Sequence, residues 1–223
     1  MYLPKHFEET RPELLHEFLR AHPLGLLVTP GADASAGPVA NALPFIVEPG
    51  PLPDQPLGTL VGHVARANPL WREAREATVL VVFQGAQAYV SPNWYPSKAE
   101  HGKVVPTWNY AMVQARGPLQ VLDDPASVRD IVTRLTARHE ATQPRPWTPD
   151  DAPPEFTEAL LRTIVGIRIP LVSLVGKFKL SQNRPAADRA GVVQGLRAGG
   201  EAAQQAAADS MLQAEAMMAG TPR

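Results

Sequence analysis

The stretch Gly62-His63-Val64-Ala65-Arg66-Ala67-Asn68-Pro69 changes from the pattern of a strand to that of a helix start. A strand is expected over 58–65, and a short helix over 68–76 because Asn68 suits an N-cap. The N–H donors at a helix start, beside the cation Arg66, would suit a phosphate group. The alternative is that Asn68 is only a helix cap and Arg66 only a surface charge.

The sequence on either side predicts a strand-rich domain with few helices. The 24 prolines divide it into short segments, and proline interrupts both helices and central strands. Strands are expected over 24–29, 39–47, 58–65, 78–83, 86–90, 104–122 and 166–180, with 78–83 central and 86–90 its hairpin partner. Helices are expected over 13–20, 68–76, 125–138 and 156–164. The predicted fold class is mainly β with peripheral helices (α+β).

The composition changes near Pro185, after which Ala, Gly and Gln dominate. We therefore predict one domain over 1–185 and a C-terminal tail over 186–223 that is partly helical or disordered. Residues 201–218 contain good helix formers and are expected to form one exposed or partner-bound helix if they are ordered.

Charge and residue inventory exclude several classes of function. The net charge of -1 gives no overall field for attracting a polyanion. Because the chain has no cysteine, disulfides, thiolate nucleophiles and Cys-ligated metal centres are excluded. The longest apolar run, 79–83, is too short to cross a bilayer, so a cytoplasmic location is expected and a membrane association is not.

Two polar-aromatic segments follow the predicted central strand. Residues 89–98 combine three aromatics with two hydroxyls and Lys98, which would suit a planar ligand or, equally, a surface loop held by its own aromatics. Residues 103–110 begin with Lys103 and continue as a strand, so Thr107 and Asn109 should share one face. Trp108 would then lie on the other face, with a dimer contact there and a ligand on the polar face, unless the segment is a plain core strand.

A last polar segment, Gly176-Lys177-Phe178-Lys179-Leu180-Ser181-Gln182-Asn183-Arg184, places Lys177 and Lys179 on one face of a strand. Two like charges side by side repel, so an anion between them would offset the repulsion. A solvated sheet edge protected by lysines is the alternative. Because common phosphate-loop, hydrolase and dinucleotide motifs are absent, residue patterns alone indicate a β-rich domain that binds a small molecule.

Together these strings resemble one family. The order GHVARANP, YVSPNWYPSK, VPTWNY, LTARHE and GKFKLSQNR, after the opening MYLPKHF, closely resembles the PaiB-like FMN-binding negative transcriptional regulators over residues 1–196. The resemblance implies an FMN-binding split β-barrel, similar to pyridoxamine-phosphate oxidases, and a homodimer with the flavin between subunits. Several relatives carry a His at the place of Ala42.

The resemblance also implies a set of cofactor-binding residues. The turn after the strand would approach the FMN phosphate, with two lysines adding charge, while the later residues would lie near the flavin or the subunit interface. The set is His63, Ala65, Arg66, Asn68, Lys98, Lys103, Thr107, Trp108, Asn109, Lys179, Ser181 and Gln182. No metal ligand is assigned, and the catalytic residues are left unknown, with His63 the best acid–base candidate.

Three functions follow as hypotheses. The family name favours a negative transcriptional or redox-responsive regulator, but a helix-turn-helix and excess positive charge are missing, so DNA association should be weak or indirect. The second is a flavin-dependent oxidoreductase in which the flavin supplies the chemistry for a small-molecule substrate. The third is a split-barrel dimer that binds haem or no cofactor.

Overall fold

The computed structural model describes residues 1–31, 37–48, 50 and 57–219. Ten strands lie there: β1 (Glu8–Glu9), β2 (Leu24–Thr29), β3 (Val39–Pro44), β4 (Ile46–Glu48), β5 (Thr59–Ala65), β6 (Thr78–Val90), β7 (Thr107–Pro118), β8 (Gln120–Leu122), β9 (Ile164–Pro170) and β10 (Ser173–Lys179). The α-helices of these residues are α1 (Pro12–Ala21), α2 (Leu70–Glu73), α3 (Ser97–His101), α4 (Pro125–Glu140), α5 (Pro154–Leu161), α6 (Ala186–Ala198) and α7 (Ala202–Ala219).

The strands form two sheets. The larger has the order β1-β10-β7-β6-β2-β3 and the smaller β4-β5-β9-β8. The pairs β2–β3, β5–β9 and β8–β9 are all antiparallel. The predicted α+β class is therefore confirmed, although the helices are more numerous than expected.

The hairpin predicted between 78–83 and 86–90 is wrong, because β6 runs through both segments as one strand. Gly85 lacks the positive φ that a two-residue hairpin turn requires. The buried positions are Val79, Val81 and Phe83 in the first part but Ala88 and Val90 in the second. The strand therefore changes its buried face near Gly85. In the sequence, this shift in the alternation of apolar residues looks like the break that a turn would cause.

Two compact units make up the chain, and strands β6, β7 and β10 contribute residues to both. Unit 2 comprises 11–83 and 113–174 and contains the smaller sheet. In it, Ile131 and Leu135 of α4 pack against Val61 of β5. A Cβ at Gly166 would lie 2.7 Å from Ile131 Cδ1 and 2.9 Å from the Leu122 carbonyl oxygen, so glycine is what permits the close approach of α4 to β9.

Unit 1 comprises 1–10, 84–112 and 175–223. Here β1 pairs with β10, with Glu8 opposite Lys177. The region predicted as a tail forms α6 and α7 up to Ala219, and Val192, Leu196 and Met211 are almost completely buried. The helical part of that expectation is thus visible in the structure, while the division into a domain over 1–185 and a tail over 186–223 stays a prediction.

Candidate functional site

In unit 2, the Arg66 guanidinium is engaged by protein groups. Nη1 and Nη2 donate to Asp123 Oδ2 and Oδ1 at 3.1 and 2.5 Å, and Nε donates to the Arg162 carbonyl oxygen at 2.8 Å. The hydrogen bond and charge of Arg66 lower the pKa of Asp123. The bidentate pair ties the end of β5 to the residue after β8, so the role of Arg66 in phosphate binding stays a prediction.

Asn68 lies one residue before the N-cap of α2, which is Pro69, so the predicted N-cap is displaced by one residue although Asn68 still contacts the first turn. Its Oδ1 accepts a hydrogen bond from the Leu70 N–H at 3.1 Å. The helix that follows, α2, has only four residues and is shorter than the predicted 68–76, so few peptide dipoles are aligned there. The Asn68 Nδ2 donates to Asn41 Oδ1 at 2.9 Å, and Ala65 is exposed.

Two buried polar atoms of unit 2 have no hydrogen-bond partner among the described residues, His63 Nδ1 and Asn41 Nδ2. Unsatisfied buried polar atoms are rare in proteins and call for an explanation such as a ligand. Burial lowers the pKa of His63, so its imidazole is neutral near pH 7. Asn41 is not among the cofactor-binding residues predicted from the sequence, although a polar residue within the apolar run 39–47 could have indicated a functional role.

A cleft of about 530 Å³ lies beside the Arg66–Asp123 pair in unit 2. Its walls come from the start of α4 and the end of α5, and they include Arg129, Glu158 and Arg162. Neither the Arg129 nor the Arg162 side chain has a partner within the described residues. Neither residue belongs to a recognisable sequence motif, since Arg129 lies in α4 and Arg162 directly follows α5.

In unit 1, Lys179 is held by uncharged oxygens. Its Nζ donates to Thr107 Oγ1 and to the Trp108 carbonyl oxygen, both at 2.5 Å. Burial, and then the charges of Lys177 and Arg184, lower the pKa of Lys179. A partly desolvated ammonium whose two acceptors in the described structure are both neutral is suited to an anionic ligand group.

Asn109 and Ser181 form a buried polar pair close by. The Asn109 Nδ2 donates to Ser181 Oγ at 2.9 Å and to Met211 Sδ at 3.3 Å. Gln182 is used locally, because its Oε1 accepts from the Leu180 N–H at 2.7 Å and its Nε2 donates to the Phe178 carbonyl oxygen. These contacts explain the polar residues structurally, and their predicted contact with the cofactor stays a prediction.

The two other predicted lysines lie at the surface of unit 1. Lys98 Nζ donates to Asn93 Oδ1 at 2.5 Å. Lys103 is exposed, and its backbone N–H donates to His101 Nδ1 at 3.0 Å. Lys98 is thus placed by the preceding turn, whereas the side chain of Lys103 is placed by no contact in the described structure.

Strand β7 shows the alternation that the sequence predicts. Asn109 is fully buried, whereas Trp108 is 54% exposed. The Trp108 ring meets that of Tyr89, itself 46% exposed, edge to face at 6.2 Å. With Tyr110 and Met112, Trp108 lines a shallow cleft of about 350 Å³. We call the exposed side formed by Tyr89, Trp108, Tyr110 and Met112 the aromatic face.

Comparison with solved structures identifies the fold class. Flavocytochrome Anf3 from Azotobacter vinelandii matches with a TM-score of 0.55 and 10% identity, over 79% of this chain and 72% of that chain. The FAD and heme binding protein from Mycobacterium smegmatis matches with a TM-score of 0.51 and 18% identity, over 78% and 73%. The predicted FMN-binding split-barrel fold is confirmed.

Sequence comparison then gives the family. The model FMN_bind_2, described as "Putative FMN-binding domain", matches residues 1–173. The Protease synthase and sporulation protein PAI 2 of Bacillus subtilis is 33% identical over 88% of this chain and 89% of its own length. An uncharacterized protein of Aspergillus fumigatus is 34% identical, over 88% and 90%. The chain belongs to the PaiB-like FMN_bind_2 family.

The family membership confirms FMN as the predicted cofactor. Within unit 1, the Lys179 ammonium is suited to an anionic group. Within unit 2, the unpartnered His63 and Asn41 atoms are suited to a polar ligand atom. Among the described residues, no helix is both long and apolar enough to cross a membrane.

Proposed function

We propose that this protein is a redox-responsive negative regulator that works as a cytoplasmic homodimer with FMN at the subunit interface. The observation that carries the proposal is the partly buried ammonium of Lys179, which has neutral acceptors and a lowered pKa, next to the exposed aromatic face. FMN supplies the redox chemistry, and charges near its ring tune its electronics.

The charge of Lys179 supports a redox response in particular. A reduced flavin carries more negative charge than an oxidised one, so a fixed cation beside it favours reduction. Lys177 and Arg184 act in the same direction, since both are close enough to lower the pKa of Lys179. The protein would therefore bind FMN more tightly when the flavin is reduced.

The aromatic face supports the homodimer. Large exposed aromatics are enriched where proteins associate, because their rings contribute apolar area at little entropic cost. Trp108 of β7 and Tyr89 of β6 are about half exposed, while alternate residues of these neighbouring strands are buried. Pairing with a second copy would bury these rings and enclose a ligand beside them.

The balance of charge supports indirect repression. With a net charge of -1, the chain lacks the overall positive charge that phosphate contacts require. The B. subtilis relative is named for protease synthase and sporulation, which is consistent with a regulatory protein. We expect the protein to act through another protein or through a small molecule.

The test begins with the visible absorbance of the purified protein before and after FMN addition, with the mass of the same sample measured by light scattering. We expect a flavin spectrum in a dimer and, in a reductive titration, a higher potential than that of free FMN. A well-folded monomer that takes up no FMN would overturn the proposal. A Soret band instead of a flavin spectrum would support haem, which the structurally similar M. smegmatis protein is named as binding.

An oxidoreductase is the second candidate, because the aromatic face offers rings on which a planar substrate could stack. The two functions differ in turnover. Continuous oxidation of a nicotinamide by the FMN-loaded protein with a second substrate would indicate an enzyme, whereas a single stoichiometric reduction would indicate a sensor.

A further inference from the structure

The first turn of α6 holds the segment that carries Lys98. The Asp188 carboxylate, which is only 2% exposed, accepts hydrogen bonds from the Ser97 N–H at 3.1 Å and from Ser97 Oγ at 2.7 Å. A buried carboxylate requires such partners, and breaking either contact would leave it poorly satisfied. Asp188 therefore fixes the residue that immediately precedes Lys98.

Two glycines of α6 hold Trp94 in the same segment. A Cβ at Gly191 would lie 2.1 Å from the Trp94 carbonyl oxygen, and a Cβ at Gly195 would lie 2.4 to 2.6 Å from the indole ring. Because glycine is among the poorest helix formers, its presence twice on one face of α6 requires a reason. The reason is the space that Trp94 occupies.

Helix α7 reaches the other predicted segment of unit 1. Met211 is 1% exposed, and its sulfur accepts a hydrogen bond from Asn109, the residue after Trp108. Two ion pairs join the helices, Arg189 with Glu215 and Arg197 with Asp209, the latter at 3.1 Å. Helices α6 and α7 thus act on both segments as one hairpin, which we call the C-terminal hairpin.

We propose that the C-terminal hairpin positions the flavin-binding segments of unit 1, with Asp188, Gly191 and Gly195 as positioning residues. The hairpin lies after residue 173, where the match to the family model ends. The inference rests on the proposed function, because it takes residues 107–109 beside Lys179 as part of the FMN site, and it adds residues 93–98, which include the predicted cofactor residue Lys98. It adds that the affinity for FMN depends on contacts made by residues that do not touch the flavin.

The decisive variant is Gly195→Ala, with Gly199→Ala as its matched control. Both change one glycine of the same helical region to alanine, but the three atoms nearest to a Cβ at position 199 all belong to the Gln204 side-chain amide, which can rotate away. The first readout is the Kd for FMN, measured by quenching of flavin fluorescence well below the melting temperature. We expect Gly195→Ala to weaken binding about tenfold, less than the roughly 100-fold loss of rate that a ~1 Å displacement of catalytic groups can cause. The control should stay within about twofold.

The second readout separates positioning from stability. The chain has four tryptophans, so 5-fluorotryptophan labelling gives four fluorine resonances, and Trp94→Phe assigns one of them. In Gly195→Ala without FMN, the Trp94 resonance should shift, while the fluorine resonance of Trp147 in unit 2 should not. If Gly195→Ala does not fold, Asp188→Asn serves instead, because asparagine keeps one acceptor for Ser97 and loses the charge. We expect it to weaken FMN binding while the circular dichroism stays unchanged.

The outcomes distinguish the inference from the proposed function. A shifted Trp94 resonance with an unchanged FMN Kd would overturn the inference alone, since the wild type would still bind flavin. A lower melting temperature with an unchanged Kd would show that the C-terminal hairpin contributes only to stability, and it would also overturn the inference. A wild-type protein that takes up no FMN would overturn the proposed function, and the inference with it.

Discussion

Replacing Lys179 with methionine tests the anion site of unit 1 most directly. Methionine keeps much of the length of the side chain but removes the ammonium that donates to Thr107 Oγ1 and the Trp108 carbonyl oxygen. A hydrogen bond to a charged group contributes about 1.5–3 kcal/mol. Because about 1.4 kcal/mol corresponds to tenfold in a dissociation constant, Lys179→Met should weaken FMN binding about 10- to 150-fold.

The same substitution should have little effect on the protein without FMN. It removes a charge whose pKa is lowered by burial and by Lys177 and Arg184, so the loss of two hydrogen bonds is offset by relief of desolvation and repulsion. We expect the melting temperature of the flavin-free variant to stay close to that of the wild type. Equilibrium titration of FMN fluorescence and thermal unfolding by circular dichroism measure the two quantities.

Two further variants serve as controls. Lys5→Met makes the same chemical change at an exposed position of unit 1 and should leave the Kd unchanged. Lys179→Arg keeps the charge and should retain most of the affinity. If Lys179→Met folds normally and binds FMN within about twofold of the wild type, the assignment of Lys179 as the anion contact is refuted.

Three other predictions follow from the structure. Burial lowers the pKa of His63 below its ordinary value of 6.5. As the pH falls through 6.5, the unfolded state therefore binds more protons than the folded state, and the free energy of unfolding decreases. His63→Gln should flatten this loss in thermal unfolding from about pH 7 to 5, and an unchanged slope would contradict it. Trp108→Ser should shift the mass measured by light scattering at micromolar concentration from that of a dimer towards that of a monomer. Trp147 is 47% exposed in unit 2, and Trp147→Ser should leave the measured mass unchanged. The double variant Arg129→Ala, Arg162→Ala should weaken FMN binding at most about threefold, because exposed guanidiniums are screened by water and salt. A loss as large as that of Lys179→Met would instead place an anionic group of the flavin in the cleft beside Arg66.

Much of the larger sheet could be predicted from local patterns. Strand β2 has the predicted bounds, 24–29, and the alternation over 107–110 gave the exposed and buried faces of β7. These features depend only on neighbouring residues, since the side chains of a strand alternate. The change of buried face within β6 has no comparable signal, because glycine between two apolar runs also indicates a turn.

The C-terminal helices show why composition was a poor guide beyond residue 185. The region is rich in alanine, and few large apolar residues mark a buried face. Yet Ala207 and Ala208 are fully buried beside Val192 and Leu196. Small residues allow helices to approach closely, so the packing is dense without a strong hydrophobic pattern. This packing depends on contacts with residues distant in the sequence, such as Trp94, and it could not be predicted from local composition.

Two kinds of cation among the described residues bear on where the flavin lies. Arg66, Arg134 and Arg189 each pair with a carboxylate distant in sequence, so their charges are matched within the fold. Lys179 is instead bonded to neutral oxygens, and its pKa is lowered by burial and then by the charges of Lys177 and Arg184. Sequence alone could not separate the two kinds, because the carboxylate partner of Arg66 is 57 residues away. A cation that the fold leaves without a matching charge gains most from a bound anion, and on this ground Lys179 is a stronger candidate for the flavin than Arg66.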